Sequence, residues 1–283
     1  MAIITISRGC YSHGQEIAEE LAKMLGYECI SQEVLVEASR FFHVPEEKLL
    51  KSIHDSPSML EKITHAREKF LACIQAALLE HVKEDNVVYH GYGGHMLVPG
   101  ISHVLKVRVI AELEDRIALL QKKRNISRDQ ALKFIETEDK HRSDWNQYVC
   151  KADMTDPHLY DLVLNIGRLN VEDACEVICA AARRDTFKAT PESEKAIRDL
   201  ALSSFVKAAL QEICEAEVSA DDGKVAIHVK GQKLRKTGFT SPKLQDQVME
   251  KIRGDLTKDI LQAVRGIPGV KDVVFDIDLP YYS

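Results

Sequence analysis

Apolar positions along the chain fall into short β-branched runs separated by longer stretches with helical spacing. Ile3-Ile4-Thr5-Ile6 has the composition of a buried strand, and Ser7 to Gly14 is a polar, glycine-bounded loop. From Gln15 to Leu25 the apolar residues stand at 17, 18, 21, 24 and 25, which predicts a helix buried on one face. Gly26 to Ser31 predicts a short second strand, and residues 33–42 a helix. Val44-Pro45-Glu46-Glu47 reads as a helix start leading into Lys48 to Ser52, His54 to Ser58 as a loop, and Met59 to Lys83 as a long helix. Asn86 to His90 is the next buried strand and runs into a flexible turn, Gly91 to His95. His103 to Ile110 alternates as a strand, and Glu112 to Arg124 is helical. Ser127 opens another helix, with Gln130 three residues on as in a capping box, reaching about Arg142. Trp145 to Pro157 reads as a loop or broken helix, Tyr160 to Asn165 as a strand and Val171 to Arg184 as an amphipathic helix.

Strands alternating with helices predict an α/β fold with a parallel sheet covered on both faces. In such sheets ligands sit at the carboxyl ends of the strands. The informative residues lie there: Ser7 to Gly14, Ser31, and Gly91 to His95. Composition then changes. Residues 185–194 are polar and contain Pro191, the character of a linker between a domain at 1–184 and a second at 195–283. The second reads as a small α+β unit: a helix over 195–216, a strand at Lys224 to Gly231, a helix from Pro242 to Val264 and a last strand at Val273 to Ile277.

A length of 283 residues agrees with two domains. A net charge of -6 argues against a general nucleic-acid or membrane-surface binder, so neither is expected as a partner. The seven cysteines form no C-x-x-C pair and read as buried reduced thiols. The chain starts directly with a strand and its apolar runs are too short for a membrane span, so a cytoplasmic protein is expected.

A strand, a small-residue loop and a helix start make an anion site, because the first amides of a helix are unpaired and its dipole favours negative charge. Gly9 and Gly14 stand at the spacing of the two glycines in the phosphate-cradling motif G-x-x-x-x-G-K-[ST], with Gln15 in place of Lys and Glu16 in place of Ser/Thr. From the local pattern two readings stay open: a phosphate cradle, or a plain strand–turn–helix crowded by Tyr11 and His13. Positive charge is available from Arg8 and from Lys122-Lys123-Arg124 through Arg128 to Lys140-His141-Arg142. That segment reads either as a lid over phosphates or as a solvated charged face. The histidines form no metal-binding pattern, though His13, His90 and His95 sit at strand ends. Glu16 reads either as a magnesium contact through water or as an acid that stabilises a helix start. No Ser-His-Asp or Cys-His arrangement is present.

Taken together, several segments resemble the cytidylate-kinase-like family, a branch of the P-loop nucleoside monophosphate kinases. They are Ile3 to Arg8, Ser12, Gly14, Glu16-Ile17-Ala18, Gly91-x-Gly93, Asp115-Arg116-Ile117, Ser127 to Ala131, Asp139 to Arg142, Asp156-Pro157, Tyr160 to Asn165 and Arg168-Leu169. The resemblance covers roughly residues 1–182. It implies a three-layer P-loop kinase fold that transfers the ATP γ-phosphate to CMP or dCMP with Mg²⁺. By position, Arg8, Gly9, Ser12, His13, Gly14, Gln15 and Glu16 would hold ATP phosphates. Arg124, Arg128, Lys140 and Arg142 would be catalytic lid residues, and Ser31 and Tyr92 would lie near the acceptor. Three departures stand at the three strand ends: Gln15 where the family has Arg, Ser31 where it has an acid, and Tyr92 where it has Arg. The resemblance therefore leaves a working phosphotransferase and a weak or inactive nucleotide sensor both open. The C-terminal part resembles a BON-type domain through the Lys224–Gly231 strand and the Pro268-Gly269-Val270-Lys271-Asp272-Val273 ending. That likeness implies ligand sensing, interaction or homodimer formation.

Overall fold

Strand β1 (Ile3–Arg8) lies at the centre of a five-stranded, all-parallel sheet. The structure is a computed structural model that describes residues 2–31, 33–54, 66–229, 233–234, 242–278 and 281–282. The other strands are β2 (Glu28–Ile30), β3 (Val87–Tyr89), β4 (Val104–Ala111) and β5 (Leu162–Ile166), in the order β2-β3-β1-β4-β5. β1 pairs with β3 through Ile4 and Val88 and with β4 along its whole length, Ser7 opposite Arg108. Ile3, Ile4 and Ile6 are buried to 1% exposure or less, so both faces of β1 are covered, as a continuous apolar run requires. The chain leaves β1 between neighbours reached by different crossovers, which opens a crevice at the carboxyl end of the sheet.

Helices fill the two outer layers. α1 (Gly14–Leu25) follows β1, then come α2 (Glu33–Phe42), α3 (Glu46–His54), α4 (Ala66–Val82) and the single turn α5 (Gly94–Leu97). α6 (Leu113–Arg124), α7 (Arg128–Cys150) and α8 (Val171–Ala182) complete the series. Ile17, Ala18 and Leu21 of α1 pack with Ala174, Cys175 and Ile178 of α8 over Ile4, Ile6 and Val107 of the sheet. The covered parallel sheet is the one expected from the strand–helix alternation, and the three layers are those of the P-loop kinase fold that the family resemblance implies.

Several boundaries differ from the sequence reading. The predicted break at Trp145 does not occur, because α7 runs unbroken to Cys150. No Gly or Pro interrupts residues 128–150, and Trp145, only 2% exposed, anchors the helix to the core. The turn after β3 is present at residues 91–93 and runs into α5 from Gly94. Residues 59–65 of the expected long helix, and most of the expected loop before it, lie outside the described residues. The capping box at Ser127 and Gln130 is present.

The chain divides into two compact units, Met1–Ile197 and Arg198–Ser283, with the division inside helix α9 (Pro191–Leu210). α9 begins at Pro191, within the stretch read as a linker. Proline suits a first helical turn, where no amide partner is lost, and Glu192 and Glu194 favour the dipole there. The helix stops at Leu210, before the predicted 216, because Ala216 enters a strand. In the second unit β6 (Ala216–Asp221) and β7 (Lys224–Val229) form a hairpin around Asp222-Gly223, both at positive φ. β8 (Asp272–Ile277) pairs parallel to β7, and α10 (Pro242–Val264) supplies Ile260 and Val264 to a core with Val206, Val225, Ile227 and Ile277. Lys230 and Gly231 of the expected strand lie outside the described residues.

Candidate functional site

The loop between β1 and α1 turns on two left-handed residues, Tyr11 (φ 57) and His13 (φ 64). Such an arrangement of backbone turns the intervening amides to one side, as in anion-binding nests. His13 is the N-cap of α1 but its side chain caps no amide, so the first-turn amides keep their free donors. The first helical bond is Ile17 N–H to the His13 carbonyl at 3.0 Å. Tyr11 does not fill the cradle. Its ring packs edge-on against Phe134 at 6.2 Å, within the small cluster of Ile117, Leu120, Ala131 and Ile135 from α6 and α7. A cavity of about 310 Å³ lies over the loop, lined by Arg8, His13, Gly14, Gln15, Glu16, Lys123 and Arg124 among others.

The loop is braced from below and from the side. The buried Ser12 hydroxyl lies 3.0 Å from the Gly9 carbonyl and 3.2 Å from that of Val109, so it donates into the fold rather than toward the cavity. The Cys10 amide donates to Asp139 Oδ1 at 2.9 Å, and Arg116 Nε donates to the Cys10 carbonyl at 2.7 Å. Arg116 Nη2 closes the ring on Asp139 Oδ2 at 2.6 Å. At Gly9 a Cβ would stand 3.4 Å from the Arg116 guanidinium carbon, an ordinary contact. Gly14 is required by Arg8: a Cβ would come within 2.5 Å of its side chain, so no larger residue fits with Arg8 in place. Burial pushes the Cys10 thiol up to about 11, which leaves it protonated and unreactive.

Beside the loop a second cavity of about 380 Å³ lies at the ends of β1, β3 and β4, where Arg8, Arg108, Arg116 and Arg142 all line it. A third, of about 50 Å³, adjoins it and is lined by Ser31, Leu35, His90, Tyr92 and Trp145 together with Arg8 and Arg142. Arg8 therefore borders all three cavities. The Nε atoms of Arg8 and Arg142 are buried without a hydrogen-bond partner. Burial, and next the charge of Arg142, lower the Arg8 pKa to about 10. Burial, and next the charge of Arg8, lower His90 to about 4, so His90 is neutral at pH 7. Arg142 lies over the Tyr92 ring at 4.5 Å, and Tyr92 meets Trp145 edge-on at 5.5 Å. The glycines of the turn make this possible: at Gly93 (φ 58) a Cβ would strike Trp145 at 2.7 Å, and at Gly91 it would strike the Tyr89 hydroxyl at 2.0 Å.

The residues singled out from sequence are distributed unevenly. Arg8, Gly9, Ser12, Tyr92 and Arg142 border the 380 Å³ cavity, and Arg8, His13, Gly14, Gln15, Glu16 and Arg124 border the loop cavity. Gln15 is exposed and its amide donates to Glu19 at 2.8 Å. Glu16 receives Lys123 Nζ at 2.6 Å and also contacts His13. Burial pushes its carboxyl up, but the hydrogen bonds from Lys123 and His13 outweigh that and hold it below the ordinary range. Arg124 stacks over Phe134 at 4.4 Å. Ser31 donates its amide to Glu33 at 2.7 Å. Two residues are not brought to these cavities: Arg128 is exposed and paired with Glu114, and Lys140 is exposed. Arg108, Asp139 and Tyr160 were not assigned to the site from sequence. Tyr160 lies buried with its hydroxyl 3.2 Å from Ser7 Oγ and 3.4 Å from Arg108 Nη1. The signal for Arg108 was an arginine among the apolar residues of β4, and Asp139 and Tyr160 stand in segments that carry the family resemblance. Among the described residues no group of three metal-ligating side chains occurs, and no helix is long and apolar enough to cross a membrane.

Among solved structures, an uncharacterized protein from Eubacterium ventriosum aligns with TM-score 0.49 and 17% identity, covering 65% of this chain and 100% of that one. Shikimate kinase from Bacteroides thetaiotaomicron aligns with TM-score 0.38 and 13% identity over 65% of this chain and 99% of that one. Shikimate kinase from Acinetobacter baumannii, in complex with shikimate, gives 0.37 and 12% over 66% and 96%. No curated protein matches the chain. Residues 3–168, more than half of the chain, match the cytidylate kinase-like family, and the chain is a member of that family.

Proposed function

We propose that the first unit is an ATP-dependent phosphotransferase acting on a phosphate-bearing acceptor, CMP or dCMP by family resemblance. The carrying observation is the position of Arg8: it borders both the loop cavity and the arginine-lined cavity, with a buried Nε that no protein group satisfies. A partly desolvated guanidinium with an unpartnered nitrogen is stabilised when an anion meets it. The junction of donor and acceptor cavities is where a transferring phosphoryl group needs positive charge.

ATP fits the residues present. The uncapped start of α1 and its left-handed loop would receive the phosphates, with Arg124 and Lys123 at the rim. Magnesium in such sites keeps several waters and is carried largely by the phosphates, so one or two carboxylates suffice. Glu16 and Glu138 border the loop cavity and could serve. When bound, the metal would neutralise phosphate charge. The chain's own part is to hold the donor at the loop, to hold the acceptor anion with Arg8 and Arg142, and to exclude water with the Tyr92–Trp145 wall.

One observation favours a weaker variant of this reading. Gln15 offers no cation and turns to Glu19, so a nucleotide sensor with little turnover is the alternative. In either case the second unit, BON-like by resemblance, would act as an interaction, dimerising or ligand-sensing module. An ADP-release assay with CMP, dCMP and UMP separates the cases. Acceptor-dependent ADP supports the enzyme; no turnover with a nucleotide-raised melting temperature supports the sensor; neither response rejects both.

A further inference from the structure

We infer that Lys123, on helix α6, supplies the phosphate-loop cation that Gln15 does not. This rests on reading the loop as a phosphate site. In the motif G-x-x-x-x-G-K-[ST] the lysine follows the second glycine and reaches the β- and γ-phosphates. Here that position holds Gln15, whose amide is turned away to Glu19 at 2.8 Å. The next residue, Glu16, holds an ammonium of different origin: Lys123 Nζ stands 2.6 Å from its Oε1. Lys123 reaches it across 107 residues of sequence and borders the same cavity as Gly14, Gln15 and Arg124. The cation is therefore at the first turn of α1, delivered from a neighbouring helix rather than from the loop itself.

The chemistry of the pair suits a parked group rather than a structural strut. Lys123 and Glu16 are 49% and 35% exposed, and an ion pair at that exposure contributes little to stability. An ammonium on a flexible stem moves readily, and polyphosphate oxygens are stronger partners than one solvated carboxylate. Glu16 keeps His13 as a second contact when Lys123 leaves, so its charge is not stranded. With an anion in the cradle, Lys123 Nζ would exchange the Glu16 carboxylate for phosphate oxygens.

The test is calorimetric titration of the full chain with Mg²⁺-ATP and, separately, with inorganic tripolyphosphate. Lys123→Ala is expected to weaken both by about tenfold or more, as loss of a charge-assisted contact does. Lys123→Arg retains most of the affinity, and Lys122→Ala, an equal charge change on the same helix, leaves it unchanged. Adding Gln15→Lys to Lys123→Ala restores binding, and Glu16→Gln tightens tripolyphosphate. Wild-type binding that Lys123→Ala leaves intact overturns the inference while the phosphate reading stands. So does an equal loss in Lys122→Ala, or a failure of Gln15→Lys to rescue. Absence of wild-type binding to either probe overturns the phosphate reading and this inference with it.

Discussion

Arg116 and Asp139 meet at 2.6 Å, and the two also hold both backbone groups of Cys10, Arg116 donating to its carbonyl and Asp139 accepting from its amide. One ion pair thus joins α6, α7 and the loop after β1. Asp139 reaches the loop across 129 residues of sequence.

This clamp sets the first prediction. Arg116 is 12% exposed and Asp139 35%, so the pair lies between a buried and a surface bridge. Arg116→Ala is expected to cost about 1–3 kcal/mol, because it strands a part-buried carboxylate and an unpaired carbonyl. Chemical unfolding of the two proteins measures it. An unchanged midpoint would show that the clamp does not hold the loop.

Arg8 gives an opposite pattern. Its Nε is buried without a partner, and its charge is partly desolvated and crowded by that of Arg142. Arg8→Met keeps the stem that packs on Gly14 and removes the desolvated charge. Stability should hold or rise, while turnover or nucleotide binding falls about 100-fold or more. A protein that unfolds more easily but binds as before would make Arg8 a structural residue.

The histidines predict a pH dependence. His90 and His95 both fall from 6.5 to about 4, each by burial first; next comes the charge of Arg8 for His90 and of Lys106 for His95. Their folded pKa values lie below the unfolded one, so the native state binds fewer protons between about pH 4 and 6.5. Their neutral forms contribute fully above pH 6.5, and that contribution is lost as pH falls through the window. Unfolding free energy should therefore decline from pH 7 to pH 5, and less steeply in His90→Gln. An anion that neutralises Arg8 removes the second cause acting on His90. Phosphate should then raise the His90 midpoint in an NMR titration and leave His95 in place; equal shifts at both would contradict the assignment.

The central unit was legible where local rules and burial agree. Ile3 to Ile6, the helical spacing from Ile17 to Leu25 and the Ser127–Gln130 cap each announce an element that the fold keeps. The glycine spacing marked the loop, and the strand ends marked where ligand would sit. β6 was missed because Ala216 to Asp221 follows a helix of similar composition, although Asp222-Gly223 is a hairpin signal that would have revealed it. Trp145 was read as part of a break because its partner, the Tyr92 turn, is about fifty residues away and becomes adjacent only when the sheet forms. The same holds for the site. Tyr11 looked like an obstruction to the cradle, and only the packing of α6 and α7 reveals where its ring goes. Lys123 and Asp139 fall in a segment that reads either as a lid or as a charged helical face, and Arg116 enters only through the family resemblance, because charge patterning along a helix does not say which ion meets a distant loop.

The most direct measurement is acceptor-dependent ADP formation from Mg²⁺-ATP with CMP or dCMP, comparing wild type with Arg142→Ala, the arginine that shares two cavities with Arg8. A phosphoryl-transfer site at this junction gives ADP formation that requires the acceptor and falls at least tenfold in the variant. Acceptor-dependent turnover that Arg142→Ala leaves unchanged, or no turnover together with no nucleotide-induced rise in melting temperature, would contradict it.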